Sequence, residues 1–107
     1  MSGVQPVANA MRGETMLVLG GAKVLLRPSF AALVAAEDEL GPLFGLVERA
    51  AAGQLRLGEM AALFWHCRTD EQPFADRAGF GEALAAAGLT AVTPALRCLL
   101  SQILQGR

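Results

Sequence analysis

The chain has 107 residues, nine basic and ten acidic side chains, and a formal net charge of −1. That length fits one domain, and the near-neutral balance gives no general attraction to nucleic acid or anionic membrane. With 53% apolar and 18% charged residues the chain is no disordered segment, but its apolar content is mostly Ala and Leu, with no Tyr and one Trp.

Residues 1–13 carry Gly3, Pro6 and Gly13 among small side chains and read as a flexible arm. They hold no apolar block of signal-peptide length, and no later run approaches the ~20 residues of a membrane span. The protein is therefore expected to be cytosolic where it is made. Residues 14–107 are expected to form one domain, a hairpin over 14–27 and a helical body over 28–107.

Glu14 to Leu19 and Ala22 to Arg27 are short β-prone runs around Gly20-Gly21. A Gly pair suits a two-residue hairpin turn because both positions tolerate positive φ. The register sets Leu19 against Ala22, Leu17 against Val24 and Thr15 against Leu26 on one face. On the other it sets Val18 against Lys23, Met16 against Leu25 and Glu14 against Arg27. Leu17, Leu19, Val24 and Leu26 are expected inside, which leaves Met16, Val18 and Leu25 on the outer face. A lone two-stranded sheet also has open edges. The outer face is covered either by helices of the same chain or by another chain.

Pro28-Ser29 starts the first helix, whose inward stripe is expected to be Phe30, Leu33, Val34, Glu37 and Leu40. Gly41 ends it, and Pro42 suits the first position of the next helix, made by Leu43, Phe44, Leu46, Val47 and Ala50 before Gly53. A third helix is expected from Leu57 to Arg68, with Met60, Leu63, Phe64 and Cys67 inward. After a polar loop over Thr69 to Ala75, a fourth runs from Asp76 to Ala87 with Phe80, Ala83, Leu84 and Ala87 inward. Thr93-Pro94 signals the start of the fifth. It carries Leu96, Leu99, Leu100, Ile103 and Leu104. The fold class is α+β, a hairpin followed by a compact bundle of four to five short helices.

Several polar groups stand out. Glu37 falls on an apolar stripe, so it either reaches solvent or accepts hydrogen bonds from backbone or from an arginine such as Arg27. The run Glu37-Asp38-Glu39 is a solvated face or a dock for a basic segment. Cys67 and Cys98 are expected as two buried thiols in a reducing cytosol. His66 and Cys67 lack the further ligands a metal needs, and adjacent helical positions do not face one another for catalysis. Trp65 covers the helix rim or, if exposed, anchors a partner. No catalytic, metal or cofactor site is expected, and no cofactor.

The order of these pieces resembles a known family. Leu26-Arg27 leads into Ser29-Phe30-Ala31-Ala32-Leu33-Val34-Ala35-Ala36-Glu37 and Gly41. Further stretches are Ala52-Gly53-Gln54-Leu55-Arg56-Leu57, Ala61-Ala62-Leu63-Phe64-Trp65-His66, and Ala87-Gly88-Leu89 leading to Pro94-Ala95-Leu96. Over about residues 13–104 this set resembles the small tail proteins of gene transfer agents and tailed phages. Some of these are labelled tail tube proteins and others tail assembly chaperones.

The resemblance implies a non-enzymatic role in phage-like tail morphogenesis. One reading is a tail assembly chaperone that binds the tape-measure protein. The alternative is a structural tail tube or tail-end component of a gene transfer agent particle. A single hairpin is thin material for a closed ring, which ranks the chaperone first. The expected partners are the tape-measure or tail tube protein and further copies of the chain, with no nucleic acid and no membrane. Met16, Val18, Leu25 and Trp65 are the candidate interface residues, and Glu37 the structural polar candidate.

Overall fold

A computed structural model describes residues 14–69, 74 and 76–106. The arm expected over 1–13 and the segment Asp70-Glu71-Gln72-Pro73 lie outside the described residues. The chain is α+β: a two-stranded antiparallel hairpin, β1 (Thr15–Leu19) and β2 (Ala22–Leu26), precedes five helices.

The hairpin register is the expected one from Thr15↔Leu26 to Leu19↔Ala22. Of the turn glycines only Gly20 takes a positive φ, 62°, as at the first central position of a II′ turn. Leu17, Leu19, Val24 and Leu26 are all buried. The far edge of β2 is partly closed by the chain leaving the third helix. There Leu26 bridges Arg68, Arg27 N–H donates to the Cys67 carbonyl (2.7 Å), and Thr69 N–H donates to the Leu25 carbonyl (2.9 Å).

Ser29 starts α1 (Phe30–Leu40) by accepting the Ala32 N–H at 3.2 Å, and Gly41 ends it at φ 88°. The inward face of α1 differs from expectation. Ala32 and Ala36 are buried, whereas Phe30 is 85% and Val34 40% exposed. At 100° per residue, Phe30 and Val34 lie opposite Ala32 and Ala36. The small alanines let α1 approach α3, where Ala62 is also buried, and the bulkier side chains are left outside.

In α2 (Leu43–Ala51) Leu46 is buried and Phe44 is 77% exposed. Pro42 is the residue before the helix rather than its first member. In α3 (Leu57–Cys67) Met60, Leu63, Phe64 and Cys67 all reach the core, as their spacing predicts. Asp76 caps α4 (Arg77–Ala87) by accepting the Gly79 N–H at 2.5 Å, and Phe80 and Leu84 are buried.

The last helix also differs. It begins at Leu89 directly after Gly88, runs to Gln105, and holds Pro94 inside it. The Thr93 hydroxyl donates back to the Leu89 carbonyl at 2.6 Å instead of capping a helix start. Pro94 is the sixth residue of this helix, past the first turn, so it removes the bond that an N–H there would donate to the Thr90 carbonyl. Val92, fully buried, fixes the extra turn to the core. On this helix, α5, Leu104 is 53% exposed rather than inward. No single helix among the described residues is long and apolar enough to cross a membrane.

Candidate partner interface

The outer face of the hairpin is built by strand alternation alone, since every second side chain must turn away from the core. Val18 is 49% exposed, and Met16 and Leu25, opposite one another in the register, are half-buried. Lys23 lies opposite Val18 and is exposed. The face is thus an apolar strip with one cation at its turn end.

Trp65 is held within the chain. Its ring packs against Phe80 with centroids 5.7 Å apart, and the Arg68 guanidinium lies 3.3 Å over it. Arg68 is fixed in turn by donating to the carbonyls of Trp65 (3.2 Å) and Phe74 (2.8 Å). A half-buried tryptophan roofed by a cation has little free ring surface to offer a partner.

The acidic run divides its work. Glu37 is exposed, and its Oε2 accepts the Leu43 N–H at 3.0 Å. It thereby satisfies one of the free donors at the start of α2, where Pro42 has no side chain able to cap. Glu39 accepts from His66 Nε2 at 2.8 Å and pairs with Arg77, which joins α1, α3 and α4 through one carboxylate. The Arg77 hydrogen bond and then that of His66 hold the Glu39 carboxyl at about 2, from an ordinary 4.5, against the opposing effect of burial. Asp38 is exposed and makes no ion pair among the described residues. A separate pair, Arg49–Glu59 at 2.5 Å, ties α2 to α3, and Glu59 also accepts the Arg56 N–H.

His66 and Cys67 face different surroundings. The Cys67 thiol is buried and pushed up to about 12 by desolvation, which leaves it a poor nucleophile. Cys98 is exposed, against the expectation of two buried thiols, and receives the Thr15 hydroxyl at 3.1 Å. Its place on the outer side of α5 follows from Leu96 and Leu99 taking the inward positions. Among the described residues no group of three or more His, Cys, Asp or Glu could hold a metal ion.

The structure also shows a surface that the sequence pattern did not. An open groove of about 600 Å³ lies between α2 and α5, with Val47 and Ala50 on one wall, Leu96, Leu100 and Leu104 on the other, and Met60 beneath. A smaller cavity of about 180 Å³ adjoins it through Val47 and Leu104 and is bordered by Glu37 and Phe44. The sequence carries no local signal for it: Leu104 is expected inward and Leu89 lies before the expected start of the last helix, yet both are about half exposed.

No curated protein and no solved structure matches the chain closely enough to be called similar. A family model described as phage tail tube protein, GTA-gp10, matches residues 12–106, which takes in the hairpin, the groove and all five helices. The chain therefore belongs to the phage tail tube protein GTA-gp10 family.

Proposed function

We propose that the chain is a structural subunit of the tail tube or tail end of a gene transfer agent particle. The observation that carries this reading is the family match over nearly the whole chain. The hairpin supports it: in a small protein an apolar strip that its own helices leave half-open is a surface suited to another subunit. Met16, Val18 and Leu25 supply that strip, whereas Trp65 is packed on Phe80 and Arg68 within its own chain. Because β1 has β2 as its sole strand partner among the described residues, a neighbouring chain can extend the sheet. Extension by neighbours answers the objection that one hairpin is too little sheet for a ring.

Copy number in purified particles tests the reading. A tube or tail-end subunit is present in a fixed multiple per particle, resists salt washing, and is lost only with the tail. Its absence from finished particles would reject the structural role.

A second reading, an assembly chaperone for the tape-measure protein, is favoured by the open apolar groove between α2 and α5. Such a groove suits the apolar face of a partner helix. Under that reading co-expression keeps the tape-measure protein soluble, and the chain is absent from the finished tail. On both readings the chain works by contact between proteins, in the host cytoplasm before assembly and in the particle if it is retained.

A further inference from the structure

We infer that the outward face of α1 on one copy of this chain docks into the α2–α5 groove of a second copy. The inference rests on the reading of the chain as a self-associating tail subunit and names a contact separate from the hairpin. Phe30 and Val34 stand one turn apart on the side of α1 opposite the buried Ala32 and Ala36. With Asp38 one turn further on, they form a ridge of about 12 Å. Phe30, 85% exposed on a regular helix, has little to pack against among the described residues.

The groove is the matching shape. It follows α5 from Leu89 to Leu104, about 22 Å of helix, and is lined chiefly by apolar side chains. Its volume of about 600 Å³ accommodates a ridge of side chains rather than one.

Charge selects the occupant. The formally charged residue lining the groove is Arg97, which makes no ion pair among the described residues. The apolar ridge of α1 ends in Glu37 and Asp38, so the same helix carries both the anchors and the opposite charge. Because ridge and groove are different surfaces, the contact is head-to-tail. Repetition of such a contact gives a closed ring or a helical stack, the two arrangements from which a tube is made.

Sedimentation of the purified full-length chain tests this. The wild type is expected to form concentration-dependent multimers. Arg97→Asp and Asp38→Arg should each weaken association about tenfold or more, and an equimolar mixture of the two should recover it, since each then offers what the other lacks. Phe30→Ser should also give a monomer. All three side chains are exposed, so unchanged thermal unfolding is the control for folding. A wild type that stays monomeric, or an Arg97→Asp variant that associates like the wild type, overturns the proposal. Neither result bears on copy number in purified particles, which separately decides the tail-subunit reading.

Discussion

The hairpin and α1 are adjacent in the chain, yet the hairpin buries its bulky side chains and α1 buries its small ones. In β1 and β2 the inward positions are Leu17, Leu19, Val24 and Leu26, and the outward ones include Lys23. A period of two gives each residue only two directions, and the turn glycines fix the register. In α1 both sides are apolar: Ala32 and Ala36 on one, Phe30 and Val34 on the other. Periodicity finds the stripes but cannot rank them, and bulk is a poor guide where a close helix contact needs small residues. An apolar stripe is therefore evidence of a buried face only when its opposite face is polar.

Truncating one side chain in each region tests the difference. Leu17→Ala removes a buried leucine from the hairpin face and should cost about 2–5 kcal/mol in urea unfolding. Phe30→Ala removes a larger side chain, yet at 85% exposure it should change stability by less than about 0.5 kcal/mol. Equal losses would mean that Phe30 is packed after all. Next in size is Ala36→Leu, which inserts bulk into the α1–α3 contact and should cost about 1–3 kcal/mol. The mirror change Val34→Leu, on the outward side, should be nearly neutral.

Capping gives the next smaller effect. Ser29→Ala deletes the acceptor for the Ala32 N–H and should cost about 1 kcal/mol. Glu37→Gln keeps an oxygen near the Leu43 N–H but loses the charge at the start of α2. Because the site is exposed, its cost should fall below that of Ser29→Ala.

The sequence made most of the fold legible because its punctuation is local. Ser29, Gly41, Asp76 and Gly88 act through neighbouring backbone groups, so helix limits near them can be read in order. Thr93-Pro94 misled for the opposite reason. A start signal is only a preference, and the distant packing of Val92 outweighed it. The candidate interface was half-legible. Strand alternation indicated Met16, Val18 and Leu25, but the groove arises between helices distant in sequence and has no local pattern. The reach of Arg68 over Trp65 depends on where the loop returns to β2, again a tertiary fact.

A further small effect concerns pH. Glu39 ties α1 to α3 and α4 through His66 and Arg77, and its carboxyl is held at about 2 rather than 4.5. A carboxyl lowered in the folded state contributes its stability above the unfolded value, and loses it as pH falls through the folded one. The contribution should thus be intact above about pH 4.5 and fade between there and about pH 2. Its side chain is 38% exposed, so solvent screening should keep the effect within about 1 kcal/mol. Glu39→Gln should lower stability slightly at pH 6 and flatten the fall below pH 4.5, with the two curves converging near pH 2. Glu39→Gln also separates the two kinds of acid in the run, because Asp38→Asn, on a side chain with no ion pair among the described residues, should cost less stability at pH 6 than Glu39→Gln. If Asp38→Asn cost more instead, the structural carboxylate of α1 would be Asp38, and the charge assigned to the outward ridge would have to be removed from it.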